Sequence, residues 1–577
     1  MNRYLGKITE SIKQNFAYAT LNFIFIIIYV NVFQKVFGRE NSIVGVIFTI
    51  LMSASMLRDM TAAPVKHLFI QSAVLVSMGI FASLVSSLAP IAAFPINLIA
   101  VFVILYCFTY EYSSHMYFPY ILSYLFMVFI SPVSPQHLPM RLLGLFVGAV
   151  SIIVYQLVKG RRRVVETAQD VLSAMADEAV ESIYFLLTGK GKQTEESEVR
   201  HTLTKLIQIV YERRKRVLHI SDASFSMIDA GRGLEHIILL LQDIDAPVTA
   251  RKRELLQKCA QYLEQFRAYV RQETEEIPEI GKSDLTADET NCVEMDFYHA
   301  LVYIREHLLH MSDPQKRMHY RRTMLSISVR LKAALDISPV RVIYAGRVAI
   351  LIAVVTLLVQ EMNLTYGKWI MFTIASLSMP YADDVGKKMR KRILATILGG
   401  LIAVAAYALI PSMLGRTVVM MLSGYLSFYF ADYLGTFACS TIGALGGAVL
   451  MNTFGFSEVG QVFLIRIGLI CVGAVIAVLA NCVLFPYKRE TATRHLLKKY
   501  IETTRLLSEV CTAEEVDTQL YYYLVIEAHL QEEKLMQNRE ESDSEMEDIL
   551  EQCRRKVRRA HRHHITGINF VYSKAEA

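Results

Sequence analysis

The chain has 577 residues, 53% hydrophobic and 20% charged, with a mean hydropathy of +0.34. That is too apolar for an ordinary soluble protein of this length and reads as an integral membrane protein. Sixty Lys and Arg against 54 Asp and Glu leave a formal net charge of +6, which gives no argument for a nucleic-acid partner. The eight cysteines, at 107, 259, 292, 439, 471, 482, 511 and 553, include no CxxC and no close pair, so neither a disulfide framework nor a zinc site is expected. Those outside the apolar stretches fit a reduced, intracellular setting.

Taken in chain order, the apolar runs form two clusters, each long enough for six spans at about 20 residues per span. The first six are predicted near 16–37, 42–57, 67–89, 91–109, 115–131 and 138–158. The basic start at Arg3, Lys7 and Lys13 has no small-residue cleavage site, so the first run reads as a retained helix. Residues 160–340 are polar, sparse in Pro and Gly, and apolar at helical spacing, as in Leu203, Leu206, Ile207 and Val210. Six further spans are predicted near 342–360, 367–381, 392–411, 413–431, 434–452 and 462–486. Residues 488–577 return to amphipathic helix, with Leu496, Leu497, Ile501 and Leu506 on one face, packed against the first polar domain. An acidic stretch and a basic tail with His561, His563 and His564 close the chain; a solvated helix and tail account for them better than a metal site with Cys553.

The expected fold is therefore an all-α integral membrane protein, with a first transmembrane half over 1–159, a helical cytoplasmic domain over 160–340, a second half over 341–487 and a C-terminal cytoplasmic module over 488–577. Basic clusters after span six (Lys159, Arg161, Arg162, Arg163), between spans eight and nine (Lys387, Lys388, Arg390, Lys391, Arg392) and after span twelve (Lys488, Arg489) fall on one side, which the positive-inside rule makes the cytoplasm. Both termini share it. The halves also align at an offset of 325: Arg141 with Arg466, Gly148-Ala-Val150 with Gly473-Ala-Val475, His67 with Arg392, and, after a one-residue gap, Thr49 with Thr373 and Asp59 with Asp383. Two repeats of six spans share one orientation, as in parallel transporter repeats.

No nucleotide-binding, zinc-protease or serine-hydrolase signature is present, so neither an enzyme nor an ATP-driven pump is expected, and no cofactor or metal is called for. Ionised groups at membrane depth carry more information, since each costs about 2.5–3.5 kcal/mol to insert. Arg347, about 9 Å into span seven, either snorkels to the interface or meets an organic anion. Arg141 and Arg466 open spans six and twelve in the same register, either as headgroup anchors or as a positive exit; Arg416 stands nearby without a counterpart. Asp383 and Asp384, after Met379-Pro380 and beside Arg390, are either helix caps or a gate that exchanges partners; Arg58, Asp59 and Glu111 are weaker candidates of the same kind. Gly399-Gly400 and Gly443, Gly446 and Gly447 read as close helix contacts. The single tryptophan, Trp369, reads as a residue of the outer aromatic belt.

Trp369, Thr373 and Pro380, then Arg392, Ala395-Thr396 and Gly399, then Arg466 with Gly473-Ala474, resemble the fusaric acid resistance and aromatic acid exporter family. The arrangement of two halves with cytoplasmic helical regions resembles that family over nearly the whole chain. The resemblance implies efflux of aromatic or other small organic acids through the cell membrane of a bacterium. It adds Trp369, Thr373, Arg392 and Thr396 to the substrate path already sketched by Arg347, Asp383, Asp384, Arg390, Arg141 and Arg466. The family often carries Gly-Thr where this chain has Ala395-Thr396, and the first half lacks the Trp and Pro, so the second half is expected to hold the better preserved site. Expected partners are the lipid bilayer, a small organic anion and a second copy of the chain. A passive anion channel and a membrane-tethered scaffold acting through its polar helical domains are the two rival readings.

Overall fold

The structure is a computed structural model that describes residues 2–56, 60, 64–110, 112, 115–160, 163–190, 192–213, 220–244, 248–285, 292–313, 315–316, 319, 337–410, 412–430, 432–451, 456–512, 517–538 and 546–557. Arg58, Asp59, Glu111 and the tail histidines lie outside them. Every regular element among the described residues is helical. In chain order these are α1 (Asn2–Phe37), α2 (Ser42–Ser55), α3 (Pro64–Ser87), α4 (Pro90–Phe108), α5 (Tyr117–Phe129), α6 (Leu138–Gly160), α7 (Arg163–Thr188), α8 (Glu196–Arg213), α9 (Asp222–Gln242), α10 (Ala250–Val270), α11 (Lys282–Leu285), α12 (Cys292–Ser312), α13 (Pro339–Glu361), α14 (Lys368–Leu377), α15 (Asp384–Leu409), α16 (Met413–Leu426), α17 (Tyr433–Met451), α18 (Phe456–Val483), α19 (Arg489–Thr512) and α20 (Thr518–Asn538).

The chain forms two compact units. One is Met1–Leu57, Pro64–Gln156 and Ser338–Arg489; the other is Arg58–Ala63, Leu157–Ile337 and Glu490–Ala577. In the first, a helix occupies each of the twelve apolar stretches, yet the described residues hold seven candidate spans long and apolar enough to cross a bilayer: Phe16–Phe37, Pro64–Ser87, Pro90–Phe108, Leu138–Val158, Pro339–Glu361, Asp384–Leu409 and Val459–Val483. The twelve expected from sequence already included three short stretches, near 42–57, 115–131 and 367–381. Local chemistry cuts several shorter. Helix α14 has 10 residues, because Ser378 turns extended (ψ 125°) just ahead of Met379-Pro380. Helix α5 has 13, ending where Ile130 leads into Ser131-Pro132, and α2 and α16 have 14 each. At 1.5 Å per residue these reach about 15–21 Å, against a hydrocarbon core of about 30 Å.

The short helices α5 and α14 are the most enclosed. Helix α5 packs against α2, α3, α4 and α14, and α14 against α18. Tyrosines inside this packing find polar partners, Tyr120 donating to Gln71 Oε1 at 2.7 Å and Tyr124 to Asn97 Oδ1 at 3.0 Å. The long helices instead present bare apolar side chains outward, among them Leu398, Leu401, Leu464 and Val483. So much exposed apolar surface is the mark of a unit that lipid covers.

The second unit is a helical bundle. Helix α9 packs on α12, α7 and α8, α10 on α7, and the C-terminal α20 on α8. Ser221 and Thr249 cap α9 and α10 by accepting from Ser224 and Lys252 backbone N–H groups. The contact between the 163–312 helices and the C-terminal ones is made by Phe225 stacked on Tyr522 at 3.7 Å and by buried polar pairs. Tyr521 accepts from Arg232 at 2.9 Å, and Glu532 holds Arg200 and Arg554 with Tyr500 donating at 3.0 Å. Burial raises the Glu532 carboxyl, but those two arginines outweigh it and hold the group below its ordinary value.

Candidate functional site

The site is built where α14, α15, α17 and α18 meet in the apolar unit. Two contacts without side chains bring these helices close. A Cβ on Gly473 of α18 would lie 3.0 Å from the Ile370 carbonyl oxygen of α14, and one on Gly399 of α15 would run into the Ala438 carbonyl of α17. Gly400 gives its place to the ring of Phe463. With backbones this near, side chains on the inward faces of the four helices converge.

Arg466 is 5% exposed, its guanidinium carbon 5.0 Å from the centre of the Trp369 ring, and its Nε and Nη1 have no hydrogen-bond partner. Trp369, stacked in turn on Tyr366 at 4.9 Å, is buried among Ala403, Tyr407, Leu445 and Phe463. It is a packing residue of the helix junction and not a member of an interfacial belt, because α14 is too short and too enclosed to reach outward. Within electrostatic reach of Arg466 is Arg392, 6% exposed, its guanidinium carbon 4.2 Å from the Phe437 ring centre and its Nε also without a partner. The Tyr433 hydroxyl lies beside Arg392 and Ser376. Cation–π contacts of this kind contribute a kcal/mol or two when desolvated, but they satisfy no N–H. Among the described residues, Nε and Nη1 of Arg466 and Nε of Arg392 are therefore left without an acceptor at this junction.

Arg392 was expected in a basic loop. The structure places it two turns inside α15, because the helix begins at Asp384 and runs on through Lys387, Lys388, Arg390 and Lys391 without a breaker. Thr396 and Thr373 are buried on the same faces as Arg392 and Trp369, each closing its hydroxyl on the carbonyl four residues back, at 2.9 and 2.6 Å. Lys388 was read only as a loop charge. It stands one turn before Arg392, with Nζ 3.2 Å from Met379 Sδ and 5.4 Å from the Tyr433 ring centre. The 4-residue spacing of Lys388, Arg392 and Thr396 was the signal in the sequence, and the pair Tyr433 and Phe437, also 4 apart, was overlooked.

The other candidates are engaged elsewhere. Arg141 is 2% exposed and ties loops to the start of α6: it donates to Asn41 Oδ1, to the Ser131 carbonyl at 3.1 Å and hydroxyl at 3.0 Å, and to the Glu40 carbonyl at 2.8 Å. It neither snorkels to headgroups nor presents free N–H groups. Arg347, fully buried, donates to the carbonyls of Met379 at 2.6 Å, Pro380 at 3.3 Å and Phe485 at 3.4 Å. These carbonyls follow the C-termini of α14 and α18, where a cation is favoured, so Arg347 fastens two helix ends together. Asp384 takes both bonds of its carboxylate from Arg489 at 2.8 Å, and Asp383 accepts the Arg489 backbone N–H at 3.0 Å. Arg390 is exposed, and Arg416 bonds the carbonyls of Ile410 and Tyr407. Of the ten residues expected on a path, the structure gathers Trp369, Thr373, Arg392, Thr396 and Arg466.

All five lie in one segment of the chain. Residues 350–480 match the family described as fusaric acid resistance protein-like. The resemblance expected from Trp369, Thr373, Arg392, Thr396 and Arg466 is thus met by a match over the segment that holds them, and a fusaric acid resistance protein-like segment points to a membrane transporter. No curated protein and no solved structure matches the chain. Among the described residues no group of three or more His, Cys, Asp or Glu side chains is placed to hold a metal ion.

Proposed function

We propose that this protein exports small organic acids, aromatic ones among them, across a bacterial cell membrane, as a multi-pass homodimer with both termini in the cytoplasm. The transmembrane potential or the proton gradient supplies the energy. One observation carries the reading: Arg466 and Arg392 are buried against aromatic rings on two helices that pack together, with N–H groups that lack an acceptor among the described residues. A carboxylate is the natural acceptor for such groups, since two parallel N–H bonds match its two oxygens, and the rings of Trp369, Tyr366, Phe437 and Tyr433 suit a flat organic body. The fusaric acid resistance protein-like match supports the same class of activity.

The test is transport by the purified protein in proteoliposomes loaded with an aromatic acid. Wild type should release it, and R466Q and R392Q should lose at least about 90% of the rate, a change of one factor of ten or more, as removal of a required bonding partner does. Release at the wild-type rate by both variants would reject the site. Electrical recording on the same material separates the exporter from a passive channel, which would give unitary currents.

A further inference from the structure

We infer that the ligand of the Arg392 and Arg466 site carries two negative charges on one small skeleton, a dicarboxylate or an equivalent dianion. This rests on the proposed function and narrows it. An arginine stays protonated at any physiological pH, so both guanidinium groups bring a full charge into the helix junction. Each is more than nine-tenths buried, and each has N–H groups without a partner.

The carboxylates of this unit whose side chains are described do not neutralise them. Asp383 and Asp384 hold Arg489, Asp432 accepts the Gly435 backbone N–H at 3.0 Å, Glu40 is exposed and faces His137 at 3.3 Å, and Glu361 is exposed. The Tyr433 hydroxyl beside Arg392 is neutral and offsets neither charge. A monoanion would leave one buried guanidinium uncompensated beside the other. Two anionic groups, one on each guanidinium, satisfy the unpartnered N–H groups and cancel the repulsion between the arginines.

The single tryptophan lies under Arg466 and reports occupancy directly. The experiment titrates Trp369 fluorescence of the full-length protein with benzoate and with phthalate, which share a ring and differ by one carboxylate, at a pH where every carboxylate is ionised. Wild type should bind phthalate at least about tenfold more tightly. R392Q should lose the preference, its phthalate affinity falling by at least about tenfold relative to its benzoate affinity, and R392K, which keeps the charge, should keep the preference. A wild-type protein that binds benzoate as tightly as phthalate would overturn the dianion inference and leave the exporter reading standing; so would an R392Q that weakens both ligands equally. Binding of neither acid to wild type would sink both. Should R392Q fail to fold, the wild-type ratio alone decides.

Discussion

Arg141 and Arg466 stand 325 residues apart in segments that the sequence aligns; Arg141 lies at the start of α6, whereas Arg466, expected to open its span, lies ten residues inside α18. Both are buried. Around Arg141 the chain supplies an asparagine, a serine and two loop carbonyls, and the guanidinium becomes a fastener between α6 and its neighbouring loops. Around Arg466 it supplies a tryptophan ring and a second arginine. The same residue in the same register is thus structural in one place and available in the other. Burial of an arginine says little about its role until its acceptors are counted.

The comparison breaks most sharply on stability against transport. R141Q should cost about 2–4 kcal/mol, because it strands several buried acceptors, and melting should fall with it. R466Q removes an unpaired buried charge, so its melting temperature should stay level or rise while transport is lost. Thermal melts in detergent alongside proteoliposome assays check both. If R466Q melts as far below wild type as R141Q, the two arginines do the same job.

The next largest effect belongs to the helix contacts that create the site. G399A should cost about 1–3 kcal/mol and lower transport, since the new methyl meets the Ala438 backbone, which has no rotamer to turn aside. G346A, where a Cβ meets nothing, should change neither. Equal melting of the two variants would remove the argument that α15 and α17 must touch.

The two units should also separate in their response to acid. In the second, burial keeps His529 below its ordinary value, and burial with Lys316 brings His310 down to about 4. Both stay neutral in the fold while the unfolded chain takes up a proton near pH 6.5, so stability falls as pH drops through 6.5 toward 4. Glu532, held below its ordinary value of 4.5, acts in the same direction at lower pH. Hydrogen exchange at pH 7 and pH 5 should show the 163–312 and 489–557 helices loosening while α13 to α18 hold, and H310Q should lessen the change. Loosening confined to α13–α18 would contradict this.

The smallest effect is expected at Asp384. Its pair with Arg489 is partly exposed, and D384N should cost about 0.2–1 kcal/mol and leave transport within about twofold. A complete loss of transport would make the carboxylate a gate after all.

Much of this was legible in the sequence. Apolar runs gave the position of every helix in the first unit, and the spaced residues from Trp369 to Gly473 gave the family segment and five of the residues at the junction. What the sequence hid follows from the third dimension. The length of α14 depends on how Ser378 turns ahead of Met379-Pro380. The depth of Arg392 depends on α15 starting at Asp384, eight residues before the charge that hydropathy had assigned to a loop. Hydropathy also cannot tell a belt tryptophan from one under a guanidinium, and no pattern in the chain distinguishes an arginine with acceptors from one without.

The most direct measurement uses that tryptophan. Aliphatic and aromatic dianions are titrated into full-length protein and into R466Q while Trp369 emission is followed. Wild type should give a saturable change with at least one anion, and R466Q should give none while still melting cooperatively. A saturable change that persists unaltered in R466Q, or its absence from wild type across the whole set, would contradict the claim that the unpartnered arginines are where the ligand binds.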